Sequence, residues 1–377
     1  MESSTLKQMN GKRFLKDYSL YIHLPFCSKK CDYCHFFVLP DKEIYKSQLL
    51  DGLKKEWDLV NSKTRNMKLV SIYFGGGTPS LFSPDRIHEL LSLWDHGDIE
   101  VTLEANPELV TDGLMKDYAQ AGINRVSLGV QSFDDQLLKQ LSRTHGSQTA
   151  VKAIECISKS IQNISIDMMY DIPTQKLAQW ERTLTQAVEL PITHVSLYNL
   201  TFEPHTVFYK YRDKLQKTVP NEETSQEMYE LAVEKLTAQN FKQYEISAFC
   251  QLGYESQHNS GYWTGRPFIG LGPSAFSYWE GSRYRNVANL NKYLRALEDG
   301  KTPEDYRETL EPDAAQRELF VIALRLMRGV KIQKSSSLYE ETIQQLISQG
   351  LLKLRSDRLK LTPLGILHYE TVAAELI

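Results

Sequence analysis

With 377 residues, 41% of them hydrophobic and 24% charged, the chain has the makeup of a soluble globular protein of two domains, or of one large domain with an appendage. A net charge of -3 argues against a broad nucleic-acid-binding surface, and no apolar run approaches the ~20 residues that cross a bilayer. The N-terminal MESSTLKQMNGKRFLKDYS lacks the apolar stretch of a signal peptide, and five cysteines, three of them crowded together, do not make a disulfide framework, so a reducing, cytoplasmic setting is expected.

The apolar run from Leu20 to Leu24 predicts a buried strand that opens the stretch Tyr21–Phe36, YIHLPFCSKKCDYCHF. Cys27, Cys31 and Cys34 follow as C-x3-C-x2-C on the loop that leaves its C-terminal end. Soft thiolates suit iron or zinc. A [4Fe–4S] cluster takes four ligands, so three cysteines would leave one iron open to an outside ligand. The loop by itself also admits a Cys31–Cys34 redox pair, or zinc held by the three cysteines with His35 or His23. Cys156 and Cys250 lie in apolar segments and read as inert core residues.

Beyond the loop, Tyr45, Leu49, Leu53, Trp57 and Val60 have helical spacing within Lys42–Val60. Strands are expected at Leu69–Phe74, Ile99–Glu104, Arg125–Val130, Ile164–Tyr170 and His194–Leu200. Helices are expected between them at Pro84–Trp94, Thr111–Ala121, Asp134–Leu141, Ser147–Ser158 and Ala178–Glu189. Strands alternating with helices imply a parallel sheet, because parallel neighbours need crossovers. Cys27–Cys34, Gly75–Thr78, Glu104, Gln131 and Asn199 all fall at or just past the C-terminal ends of successive strands, the active-site edge of an α/β barrel. The expected fold is therefore α/β, a partial (β/α)6 TIM-like barrel over residues 1–240.

A helix at Glu222–Gln239 and an apolar segment at Tyr244–Phe249 lead to an aromatic-rich extension over 241–300. Tyr254, Tyr262, Trp263, Phe268, Phe276, Tyr278, Trp279 and Tyr284 crowd there, as a packed core or a seat for a flat ligand. Gly270–Ala275 matches G-x-G-x-x-A only weakly, since Pro273 and the missing βαβ pattern spoil a dinucleotide fold. Residues 301–377 read as a small C-terminal domain with helices at Asp313–Met327 and Ser337–Gln349. Strands at Leu351–Leu354 and Leu359–Leu361 and a helix after Pro363 complete a winged-helix-like order. Lys353, Arg355, Arg358 and Lys360 on the wing read as a solvated hairpin in preference to a nucleic-acid surface.

The cysteine loop and Gly75-Gly76-Gly77-Thr78-Pro79 resemble the radical S-adenosylmethionine (SAM) superfamily. YIHLPFC, CDYC, FGGGTPS, LEANPE, RVSLGVQS and IDMMYDIP narrow the resemblance to the oxygen-independent coproporphyrinogen III oxidase-like family, over nearly the whole chain. It implies a [4Fe–4S] cluster on Cys27, Cys31 and Cys34, with SAM completing the fourth iron. Tyr21, Tyr33, Gly77, Thr78 and Glu104 match contacts to one SAM, and Gln131, Arg143 and Asp167 match positions for a second.

Two departures separate the chain from the oxidases. Phe36 stands where their pattern continues to a further cysteine, and only 20 residues precede Tyr21, fewer than their N-terminal segment. Both resemble the heme chaperone (HemW) branch, which is also marked by H-N-x-x-Y-W, here His258-Asn259-Ser260-Gly261-Tyr262-Trp263. His258 is then the candidate axial ligand of heme, with Arg266 and Arg283 near for propionates; Phe276 replaces a histidine of many family members. The implied function is a chaperone that binds heme, the cluster and SAM and passes heme to an acceptor protein. An electron donor and a membrane-protein partner met transiently are expected, nucleic acid is not, and no catalytic residue is assigned. The alternative is an oxidase that decarboxylates coproporphyrinogen III through a 5′-deoxyadenosyl radical.

Overall fold

The computed structural model describes residues 16–332 and 340–377, so the N-terminal stretch read for a signal peptide and the start of the expected Ser337–Gln349 helix lie outside the described residues. Six strands run parallel in sequence order: β1 (Lys16–Leu24), β2 (Met67–Gly76), β3 (Glu100–Ala105), β4 (Arg125–Gln131), β5 (Asn163–Tyr170) and β6 (His194–Asn199). The crossovers carry α1 (Glu43–Val60), α2 (Pro84–Leu91), α3 (Asp112–Ala121), α4 (Ser147–Ser158) and α5 (Leu177–Val188), and α6 (Glu222–Ala238) follows β6. This is the (β/α)6 alternation expected from the hydrophobic pattern.

Strand side chains alternate between two environments. Leu20, Ile22, Leu24, Ile72, Phe74, Val101, Leu103, Val126, Leu128, Ile164 and Ile166 are fully buried and join one core with the helices. Ser19, Ser71, Thr102, Ser127, Ser165 and Ser196 take the alternate positions on neighbouring strands, and they are buried too. Ser71 Oγ donates to Ser19 Oγ at 2.8 Å, and Ser127 and Ser165 bond to Asp167 and His194. Small polar residues at those positions leave room at the strand ends for longer functional side chains.

The sheet extends past both barrel edges to twelve strands. An antiparallel pair, β7 (Lys242–Glu245) and β8 (Ala248–Cys250), joins β6. On the other side β9 (Phe268–Leu271) lies parallel to β1, and β10 (Phe276–Trp279), β11 (Ser282–Asn286) and β12 (Glu304–Thr309) follow it antiparallel. Residues 241–300 therefore continue the barrel's own sheet, and so does the beginning of the segment assigned to the small domain. Strands of three to six residues, with no sustained alternation, give little periodic signal.

Between β8 and β9 lies α7 (Gln257–Trp263), and α8 (Leu290–Glu298) packs beside α1. The last part has its own core, in which Val321, Leu324, Ile343, Leu346, Leu352, Leu359 and Val372 are buried together. It is built from α9 (Pro312–Ala323), α10 (Glu340–Ser348), two short C-terminal helices at Pro363–Leu367 and Tyr369–Leu376, and a three-stranded sheet. That sheet contains Val330–Lys331 and the hairpin Leu352–Arg355 with Arg358–Leu361.

One buried carboxylate ties α1 to the sheet extension. Glu56 is 3% exposed and accepts from Asn286 Nδ2 at 2.6 Å, Gly272 N at 2.8 Å and Tyr293 OH at 2.6 Å. Burial pushes its carboxyl up to about 7 while the three donors pull it down. Glu56→Ala strands three donors in a closed space, and urea unfolding should show a loss of roughly 3 kcal/mol. A loss below roughly 1 kcal/mol would mean that water replaces the carboxylate at little cost.

Candidate functional site

The barrel is closed from below by α7. The carboxylate of Glu100, at the start of β3, accepts from Gln257 N and His258 N, both at 2.9 Å, where it also meets the positive end of the helix. Ser256 caps the same turn through Asn259 N at 3.2 Å. This anchoring turns His258 into the interior, beneath Tyr21 and Tyr73, with ring centroids 6.5 and 5.0 Å away. It is 1% exposed; Nδ1 lies 3.0 Å from Ser71 Oγ and Nε2 lies 2.9 Å from Tyr262 OH. Burial, followed by the nearby Arg266 and Arg125, lowers its pKa to about 3, so the ring is neutral. His258, expected as the axial ligand of heme, has both ring nitrogens engaged in hydrogen bonds and lines neither of the two cavities described below.

Above this floor, at the C-terminal ends of the strands, lies a cavity of about 310 Å³. Cys27, Cys31 and Cys34 line it together, with Cys34 N bonded to Cys31 O at 3.1 Å in a tight turn. Burial raises the Cys27 thiol to about 11, and the other two cysteines add to the shift. Burial likewise raises Cys34. Iron ligation would remove that penalty by neutralising the thiolates.

The glycine run crosses the cysteine loop at close range. A Cβ on Gly77 would stand 2.6 Å from the Phe26 carbonyl oxygen, so the contact admits only glycine. Gly76, at φ +116, donates its amide to Glu104 Oε2 at 3.0 Å, and Tyr73 OH donates to Oε1 at 2.8 Å. Burial raises Glu104 to about 7 and Asp167 to about 6, while Ser127 Oγ donates to Asp167 at 3.2 Å.

Gln131 lies at a bulge of β4 with φ +66, a strained backbone that sets its amide at the cavity wall. Arg143 arrives from the turn after the short helix Asp135–Gln140, which follows β4. Thr78 Oγ1 is 3.5 Å from Cys27 Sγ, and Tyr33 leans edge-on against Phe208 with 6.3 Å between centroids.

Of the expected site residues, the structure gathers the three cysteines, Tyr33, Gly77, Thr78, Glu104, Gln131, Arg143 and Asp167 around one cavity, with Asn199. Tyr21 stands a layer deeper, its hydroxyl 3.0 Å from His23 Nδ1, and His258 lies in the floor. His23, weighed as a zinc ligand, is buried with Nε2 3.3 Å from the Phe37 carbonyl oxygen. Phe36 is 52% exposed at the rim, against His35. Cys250 is buried as expected, whereas Cys156 is only half-buried on α4.

Two functional positions escaped the sequence reading. Tyr73 shares the inward face with Gly75 by simple alternation, and Asn106, two residues beyond Glu104, bridges Thr78 and Arg143.

Among the described residues, no three His, Cys, Asp or Glu side chains stand close enough to share a single metal ion. Thiolates that hold separate irons of a cluster stand farther apart, and these three share one wall of a cavity into which Glu104, Gln131, Arg143 and Asp167 bring polar groups suited to SAM. The donor set fits a [4Fe–4S] cluster with one open iron.

A family profile described as the Radical SAM superfamily matches residues 21–187, and one described as the HemN C-terminal domain matches residues 310–368. Among curated proteins, the chain is 34% identical to "Heme chaperone HemW" of Lactococcus lactis, over 93% of this chain and 94% of that protein. It is 33% identical to "Heme chaperone HemW" of Bacillus subtilis, over 89% and 90%. The corresponding figures for Escherichia coli "Heme chaperone HemW" are 34% identity over 92% and 94%. Among solved structures, coproporphyrinogen III oxidase (HemN) from Escherichia coli superposes with a TM-score of 0.82 at 20% identity, over 96% of this chain and 90% of that one. At that identity the likeness concerns the fold.

The titration of Glu104 yields a test. A carboxyl raised to about 7 is largely protonated below that pH, so its attraction for the cationic end of SAM grows as pH rises through it. SAM affinity measured by calorimetry should rise between about pH 6 and about pH 8 and stay flat in Glu104→Gln, which should bind at least about tenfold more weakly at the upper end. Iron content should not change. Iron falling in step with SAM affinity would place Glu104 in the support of the cluster loop.

Proposed function

The chain belongs to the heme chaperone HemW family of the radical SAM superfamily, and from that premise we propose that it carries heme and delivers it to an acceptor protein. When bound, the cluster supplies a one-electron centre with an iron open to SAM. Cys27, Cys31 and Cys34 would hold it. The Gly77–Thr78 backbone and Glu104 would receive SAM, Tyr33 would shield it, and Gln131 and Asp167 offer an amide and a carboxylate toward the cavity centre. The reading includes a cytoplasmic location, an electron donor for the cluster, an acceptor protein for the heme and a membrane-protein partner met transiently. No helix among the described residues is long and apolar enough to cross a membrane.

The observation that carries the proposal is a second cavity of about 180 Å³, separate from the first. The H-N-x-x-Y-W helix contributes Tyr262 and Trp263, the sheet extension Phe268 and Phe276, and α9 contributes Leu319 and Ile322. Such walls suit a flat apolar ring. Phe276 is 49% exposed and marks the mouth. Trp263 Nε1 is buried without a partner, a donor that a carboxylate-bearing ligand would satisfy.

Arg266 and Arg283, expected near propionates, both lie on this wall, although Arg283 is already paired with Glu308 and Glu318. Tyr262, on this wall, is linked by its hydroxyl to His258 Nε2 at 2.9 Å, so the two would respond together to a bound heme.

Heme titration of the cluster-loaded protein tests the reading. About one equivalent should bind, with a Soret band that moves in both Tyr262→Phe and His258→Ala because the two side chains share one hydrogen bond. Phe276→Asp should weaken heme at least about tenfold and leave SAM binding intact. Unchanged affinity in Phe276→Asp would put heme elsewhere. Repeated turnover of coproporphyrinogen III to protoporphyrinogen, with SAM, reductant and no oxygen, would assign the chain to the oxidases instead.

A further inference from the structure

The hydrogen bonds of Arg143 form a circuit that touches two of the three cysteines. Its Nη1 donates to Cys31 Sγ at 3.5 Å, and its Nη2 donates to Asn106 Oδ1 at 2.7 Å and to the Gly129 carbonyl at 2.8 Å. Asn106 Nδ2 donates in turn to Thr78 Oγ1 at 3.2 Å, and Thr78 Oγ1 lies 3.5 Å from Cys27 Sγ. The acceptors that fix the guanidinium are an amide oxygen and a main-chain carbonyl. These hydrogen bonds orient the cation, while the carboxylates of Glu108 and Asp167 interact with its charge through space.

The backbone is fixed as firmly. Arg143 N bonds to Leu138 O at 3.0 Å, and Ser142, at φ +59, turns its hydroxyl onto Asp32 of the cysteine loop. The aim of the guanidinium at Cys31 is built into two loops at once.

We infer that Arg143 is a positioning residue that sets the reduction potential of the cluster Cys31 would help to hold. The couple is [4Fe–4S]2+ plus one electron, from dithionite or a protein donor, giving [4Fe–4S]+. No bond breaks and no proton is required. The added electron makes the cluster more negative. A buried cation that donates an N–H to a ligating sulfur therefore stabilises the reduced form more than the oxidised one and raises the potential. The assignment of this arginine to a second SAM is a different role, and it predicts no effect when SAM is absent. The inference rests on the cluster and is independent of heme carriage.

The experiment is an EPR-monitored redox titration of cluster-loaded protein without SAM, on the parent chain and on Arg143→Lys, Arg143→Gln and Arg143→Met. Arg143→Met removes both charge and donor, and the reduction equilibrium should become at least about tenfold less favourable, about 59 mV for a one-electron couple. Arg143→Lys restores the charge and should lie nearer the parent; Arg143→Gln keeps a donor without charge and should fall between Lys and Met. Equal potentials across the series, at full iron content, overturn the inference. If Arg143→Met fails to hold iron, equal potentials in Arg143→Lys and Arg143→Gln overturn it just as well. Heme binding followed by the Soret band in the same samples should stay constant, so failure of the carrier reading and failure of this one are told apart.

Discussion

The carboxylate of Glu100 is the contact on which the interior of this molecule depends. An open row of parallel strands lined by serines, tyrosines and charged groups has no core of its own. By accepting two amides from the first turn of α7 and facing Arg125 across 3.9 Å, Glu100 draws that helix into the bottom of the barrel. The helix then supplies what the interior lacks. His258 takes the hydroxyl of Ser71 and the ring of Tyr73, and Tyr73 is thereby held to direct its own hydroxyl at Glu104. A chain of contacts runs from the floor to the mouth, and each member satisfies a polar group that burial would otherwise penalise.

Much of this was legible in advance because hydrophobic alternation and motif spacing are local properties. The six parallel strands stood out as apolar runs alternating with helical stretches, and residues such as Glu104, Gln131 and Asn199 stood out because they end strands. Side-chain direction was less accessible. His258 and Tyr262 are four residues apart, which on a helix puts them on one face and within reach of each other, but a segment with two glycines nearby did not announce a helix. The twelve-stranded sheet was hidden for another reason: its edge strands are short, and their pairing partners lie far away in sequence. Asn106 was invisible as a bridge because its two partners, Thr78 and Arg143, come from different loops.

The likeness to an oxidase fold at 20% identity shows how little architecture says about outcome. The barrel mouth, with its cysteine loop and glycine crossing, is common property of a large superfamily. The distinguishing features lie at the edges of the sheet. Phe36 places an exposed aromatic at the rim of the cysteine loop, and the strands added beside β1 line a second chamber that shares no residue with the first.

That chamber has walls from two cores. Tyr262 comes from α7 and Phe268 and Phe276 from the sheet, whereas Leu319 and Ile322 ride on α9 with the C-terminal helices, and Gly265, at φ +67, lets the two sides close to a distance at which a Cβ would stand 2.5 Å from Leu319. Anything held between them glues the C-terminal part to the barrel, and by linkage the docking of that part sets how tightly the contents are held. Strain on α9 would be felt by whatever fills the chamber, and filling the chamber would be felt by α9.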